Sequence, residues 1–166
     1  PLLNKAVLFK GVETVLKNSM GCTVNSNLNG FKFEDGLTLY KSGLRGILTS
    51  VSSYNSSTHD LIMQTNGSHS KVMAGIDNAL KSGLKVACSM VVTKLNKDDV
   101  IETGKFLMER GVSTFYATSA SPPLNSKGFE KYMLSNEDLV QVLEDLKFLE
   151  IEYGYNVGIL QCYPLS

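Results

Sequence analysis

Along the chain, segments whose apolar residues recur every three or four positions alternate with short, nearly unbroken apolar runs. A glycine stands at each change from the first kind to the second: SMGCTV at Gly21, KSGLRGIL at Gly43, KSGLKVACSMVV at Gly83, ERGVSTFY at Gly111 and EYGYNVGIL at Gly154. Glycine after a helix takes the left-handed conformation that closes the last turn, so each copy predicts helix exit into strand. The spacing predicts helices over 4–18 (Leu8, Val12, Val15), 33–42, 69–82 (Val72, Ile76, Ala79, Leu80), 97–110 and 136–153. In 97–110, Val100, Ile101, Leu107 and Met108 share a face with Gly104, behind an Asn96 cap and the first-turn acids Asp98 and Asp99. In 136–153, Leu139, Val142, Leu143, Leu146, Leu149 and Tyr153 follow SNED, in which Ser135 caps and Asp138 takes the third position.

The apolar runs at 22–26, 46–52, 85–93, 112–118 and 156–160 predict strands. Near-continuous hydrophobicity suits strands covered by helices, so the class is α/β with repeated βα units and a parallel sheet. Right-handed crossovers then build either an open doubly wound sheet or a barrel. A complete eight-stranded barrel needs roughly 250 residues, so only part of one fits here.

At 166 residues and 43% hydrophobic, the chain is expected to form one domain over 1–166 with a sizeable core. The 16 basic and 16 acidic residues cancel without a like-charged block, which argues against nucleic-acid and membrane-surface partners. No apolar run approaches the roughly 20 residues of a membrane helix and no signal-peptide layout opens the chain, so a cytoplasmic protein is expected. Cys22, Cys88 and Cys162 form no CxxC pair, and their odd number suggests no disulfide frame.

No GxGxxG, Walker lysine loop or GxSxG elbow follows a strand, which removes the main support for dinucleotide-dependent dehydrogenase, phosphate-loop NTPase and α/β-hydrolase readings. Ligands of α/β folds bind at the C-terminal ends of the strands. Four of those ends are polar: NSNLN at 25–29, TSVSSYN at 49–55, VVTKLN at 91–96 and YATSASPP at 116–123. Hydroxyls and amides there can bind a polar organic ligand, although the same residues also gather wherever strands turn into loops. His59 and His69 have no partner spaced to share a metal; His69 is expected in a helix's first turn, and His59 reads as a loop ligand, a proton carrier or a helix-start residue.

The ordered set TVNSNLNGF, KSGLRGILTSVSSYNSSTHD, NGSHSKVMAGIDNALKSGLKVACSMVVTKLN, MERGVSTFYATSASPPLNSKG and MLSNEDLVQVLEDL resembles the radical S-adenosylmethionine enzymes, most closely the peptide-modifying branch with a cysteine-rich C-terminal extension. That branch reads TNG after its third strand, SLDG at the end of its fourth and then HD, with vvtkxN on the fifth. Ser26-Asn27-Leu28, Ser50 to Ser53, His59-Asp60, and Val91 to Lys94 with Asn96 stand at those places, and Ser135 to Asp138 match the helix start LSxEE. Pro1-Leu2-Leu3 resembles the end of the family's GGEPLL. The chain departs from the pattern at SSYN, where the family has an acidic DG, and at Met63, where many relatives carry an arginine.

The resemblance implies a partial TIM-like (βα)6 barrel of which about strands three to six are present, truncated at both ends. It implies a maturase acting on a ribosomally made peptide through a 5′-deoxyadenosyl radical, with S-adenosylmethionine and a 4Fe-4S cluster as cofactors. The cluster's CxxxCxxC motif is missing, so the fragment by itself is expected neither to hold the cluster nor to generate the radical. Its expected role is one wall of the cofactor pocket: Ser50 and Ser52 toward the ribose or methionine part, with Ser26, Asn27, Thr93, Tyr116 and Thr118 completing the ribose and adenine surroundings. Cys162 is either a first ligand of an auxiliary cluster or an ordinary thiol. Peptide or small molecule is the expected partner, with self-association through exposed sheet edges. The alternative is a non-catalytic α/β domain that binds a small ligand or a peptide.

Overall fold

The computed structural model describes residues 4–121 and 127–159. Its elements run α1 (Lys5–Lys17), β1 (Thr23–Asn25), α2 (Phe33–Lys41), β2 (Gly46–Ser50), α3 (Ser56–Met63), α4 (Ser68–Lys81), β3 (Lys85–Val92), α5 (Val100–Glu109), β4 (Thr114–Ser119), α6 (Asn136–Tyr153) and β5 (Val157–Gly158). Pro1 to Leu3, the 122–126 part of the proline-containing loop, and Cys162 lie outside the described residues.

All strand pairs are parallel and the sheet order is β1-β2-β3-β4-β5. This order decides between the two architectures. A doubly wound sheet reverses direction at a switch point, whereas right-handed crossovers that always step the same way put every helix on one face and curl the sheet toward a barrel.

Strand alternation shows which face the helices cover. Ile47, Val86, Cys88, Met90, Val92, Phe115 and Ala117 are buried to 2% exposure or less, while the intervening residues of β2 and β4 stay partly open. Helix α4 adds Val72, Met73, Ile76 and Ala79 to this core. It comes close because residue 75 is glycine: a Cβ there would sit 2.5 Å from the Leu28 carbonyl oxygen. Leu28 is itself fully buried with φ 53, so the chain leaving β1 turns tightly against α4. Gly104 of α5 likewise faces Leu149 of α6 with no room for a side chain.

Gly43, Gly83, Gly111 and Gly154 have positive φ, as helix exit requires. Gly21 does not. The first helix closes earlier, where Asn18 N–H donates to Thr14 O and Ser19, with φ 58, takes the left-handed position. The helix expected over 97–110 starts as a 3-10 turn at Lys97–Asp99, and Asn96 makes no side-chain capping bond to it. At α6 the Ser135 hydroxyl accepts from Asp138 N and the Asp138 carboxylate from Ser135 N, the reciprocal cap that SNED predicts. The eight-residue α3 was not expected: it is too short to show helical periodicity, and its one sequence signal is Asn55, whose side chain accepts from Ser57 N and Thr58 N.

Candidate functional site

The open face of the sheet carries polar residues in register. Ser50 pairs with Ser89 and Ser89 with Tyr116, so three polar side chains stand side by side across β2, β3 and β4. Gly158 follows beside Tyr116, and a Cβ there would lie 3.1 Å from the ring, so the glycine makes room for the tyrosine. One row nearer the strand ends, Val91 pairs with Thr118, whose hydroxyl is buried without a hydrogen-bond partner among the described residues. A buried hydroxyl with no partner costs of order 1–3 kcal/mol, which a ligand's polar group would relieve.

Beside this row lies a cavity of about 150 Å³. Asn27 and Asn29 enter from the loop after β1, Ser50 from β2, His59 and Met63 from α3, Thr65 from the α3–α4 connection, and Ser68, Lys71 and Val72 from α4. A larger, shallower hollow of about 570 Å³ between α1 and α2 involves no strand-end residue.

The cavity wall is held from behind. The chain leaving β2 is fixed at Ser52, whose N–H donates to His59 Nδ1 at 3.1 Å and whose carbonyl accepts from Asn96 Nδ2 at 2.7 Å. Asn96 Nδ2 also donates to Val91 O, while its Oδ1 accepts from the N–H and hydroxyl of Thr93. One amide, 2% exposed, thus ties the ends of β2 and β3 together. Two further bonds reinforce the tie, the Ser53 hydroxyl donating to Asp99 and Tyr54 N–H to Thr103 Oγ1.

His59 is 1% exposed, and its acceptor role at Nδ1 assigns the ring proton to Nε2. Burial, then the neighbouring His69, lowers its pKa from the ordinary 6.5. The two rings meet edge-on, with centroids 5.3 Å apart. Asp60 serves the next helix: its carboxylate accepts from His69 N at 2.8 Å and Gly67 N at 2.6 Å, and these bonds hold its pKa below the usual carboxylate range. The His59-Asp60 pair therefore fixes two backbone segments, one with each side chain, and His69 falls in the first turn of α4 as expected.

The structure brings Asn27 and Ser50 into one cavity and sets Tyr116 in the row of Ser50, with Thr118 on the same face. It turns three predicted hydroxyls inward instead. Ser26 accepts from Leu28 N, Ser52 donates to Met63 Sδ at 3.8 Å, and Thr93 bonds Asn96 and Leu95 N. Ser89 and Lys71 were missed. Ser89 hides within the apolar run ACSMVV and only strand alternation could have flagged it, whereas Lys71 looks like any solvated helix lysine.

The residues fit a polar organic ligand and do not fit an iron–sulfur cluster. Cys22 precedes β1, at the opposite end of the sheet from the cavity. Cys88 is packed under the helices, and burial pushes its thiol up to about 12, far from the thiolate a cluster needs. Among the described residues no group of three His, Cys, Asp or Glu could hold a metal ion. No helix among them is long and apolar enough to cross a membrane.

No family model matches the chain. The GTP 3′,8-cyclase of Aliarcobacter butzleri (strain RM4018) is 28% identical over 137 residues, covering 74% of this chain and 42% of the cyclase. Among solved structures, a domain of pyruvate-formate lyase-activating enzyme from Bacteroides vulgatus ATCC 8482 matches with a TM-score of 0.73 and 15% identity, covering 97% of this chain and 94% of that one. Streptococcus suis SuiB bound to S-adenosylmethionine matches with a TM-score of 0.74 and 16% identity, covering 93% of this chain and 36% of SuiB. The chain therefore spans less than half the length of the cyclase and of SuiB. The chain is thus similar in sequence to the cyclase, and its parallel βα sheet has the fold of the pyruvate-formate lyase-activating domain and of part of SuiB.

Proposed function

We propose that this chain is one wall of the S-adenosylmethionine pocket of a longer enzyme that modifies a ribosomally made peptide. The observation that carries the reading is the row Ser50–Ser89–Tyr116 at the strand ends, flanked by the Asn27–Ser50 cavity and the unpartnered Thr118 hydroxyl. Ser50 and Asn27 bind the ribose or methionine part, Tyr116 and Thr118 border the nucleoside, and Ser26, Ser52 and Thr93 hold the loops that present them. Bound there, S-adenosylmethionine supplies the hydrogen-abstracting chemistry of the family. The residues of this chain orient it and keep water from the reacting end. The cluster ligands lie outside these residues.

The peptide half of the reading is supported by relatives of the same fold: SuiB has been solved with its precursor peptide SuiA, and anSMEcpe with AdoMet and a Kp18Cys peptide. Equilibrium binding of S-adenosylmethionine to the full-length protein tests the cofactor half. Saturable binding is expected, weakened about fivefold to tenfold by Ser50→Ala, in keeping with the loss of one hydrogen bond. A full-length protein that binds peptide but no S-adenosylmethionine, and takes up no iron on anaerobic reconstitution, would turn the conclusion to the non-catalytic binding domain.

A further inference from the structure

Helix α6 (Asn136–Tyr153) is apolar on two sides. Its inner side buries Val142, Leu146 and Leu149 against the sheet and α5. On its outer side Val140, Leu143 and Ile151 are 54%, 45% and 64% exposed. A helix lying on a sheet ordinarily turns charged and polar residues outward, so three large aliphatic side chains there mark a contact surface. With Glu144 and Lys147 they recur at steps of three and four residues and share one face. Leu139 and Ile159 join Val140 and Leu143 around an apolar hollow of about 300 Å³, which widens the patch.

The two charges on this face identify what covers it. Lys147 is the one base of α6, Glu144 precedes it by three residues, and neither forms an ion pair with a described residue. Val140 and Ile151 lie at equal distances from the midpoint between residues 145 and 146, and so do Glu144 and Lys147. A second α6 packed antiparallel across a two-fold axis at that midpoint therefore sets Val140 level with the second copy's Ile151, and Glu144 level with its Lys147. Each contact occurs twice, as an isologous interface requires. Parallel packing in register would instead set acid on acid and base on base. The stripe from Val140 to Ile151 is about 17 Å long, shorter than a standard interface, so the association is weak and reversible.

We propose that the outer face of α6 is a self-association surface that takes a second copy of this chain, helix against antiparallel helix. It is distinct from the exposed sheet edges and from the strand ends, and it does not rest on the cofactor reading.

The test is sedimentation equilibrium of the full-length protein as wild type, Glu144→Lys, Lys147→Glu and an equimolar mixture of the two variants. The wild type is expected to dimerise with a Kd on the order of tens of micromolar. Each variant alone should dimerise at least about tenfold more weakly, because like charges then face each other. The mixture should recover the wild-type affinity or exceed it, because one copy then presents only bases and the other only acids. Both positions are exposed, so the variants should melt with the wild type. A wild type still monomeric at about ten times that concentration overturns the proposal and assigns the cover of α6 to the rest of its own chain or to another protein. Variants that dimerise like the wild type, the result expected of sheet-edge pairing, overturn it too, as does a mixture no tighter than its components.

Discussion

The two faces of β3 are made from one eight-residue strand and have opposite characters. Toward the helices, Val86, Cys88, Met90 and Val92 are fully buried. Toward the open side, Ala87, Ser89 and Val91 are smaller, more polar or more exposed, Val91 reaching 45%. The covered face holds the fold together through dispersion and loss of apolar surface, and changes there are felt at once because the interior is close-packed. On the open face Ser50 and Val91 are exposed, so changes there should cost less stability and these positions can meet a ligand. Loss of stability should therefore track one face and loss of binding the other.

Met90→Ala on the covered face should give the largest effect, about 3 kcal/mol in urea unfolding, since it leaves a cavity among fully buried neighbours. A change below about 1 kcal/mol would mean that the helices pack more loosely on β3 than its burial implies. Asn96→Ala comes next. It removes the donors to Ser52 O and Val91 O and the acceptor for Thr93, and should cost about 2 kcal/mol. Because it frees the ends of β2 and β3 together, it should also weaken ligand binding, the one case in which a stability residue and a binding residue coincide.

The third prediction concerns pH. The folded pKa of His59 lies below 6.5, so the unfolded chain takes up that proton first as the pH falls. The stability due to the neutral ring is fully present above about 6.5 and declines below it, by at most about 1.4 kcal/mol per pH unit. His59→Gln, which can still accept from Ser52 N–H, should flatten this part of a stability-versus-pH curve measured from pH 7.5 to 5; an unchanged slope would assign the dependence to other groups. The smallest stability effect belongs to Ser50→Ala. It should fall within about 0.5 kcal/mol of wild type in unfolding because Ser50 is exposed, while its binding defect is measurable. A large stability loss at Ser50 would erase the distinction between the two faces.

Much of the helix-covered face was legible in advance. Apolar periodicity located α1, α2, α4, α5 and α6, and the glycines at 43, 83, 111 and 154 marked the ends of the last four, because both signals are local. Gly21 misled because the chain closed its helix with Ser19 before reaching it. Of the strand-end residues singled out as candidates, Ser50, Tyr116 and Thr118 lie on the open face of a strand and Asn27 reaches the cavity from its loop. The hydroxyls of Ser26, Ser52 and Thr93 bond to other groups of the protein, a difference that composition cannot show.

The sequence by itself determined the alternating βα order, the places of the strands along the chain, and the ordered motifs that resemble the radical S-adenosylmethionine family. These follow from patterns that repeat over a few residues, and burial imposes those patterns directly on the chain. The tertiary structure decided that the strands wind one way into part of a barrel, that Asn96 reaches back 44 positions to hold Ser52, and that a lysine of α4 meets a serine of β2 across one small cavity. Those are relations between segments far apart in the chain, and hydrophobic periodicity reports only that a residue is buried, never what it is buried against.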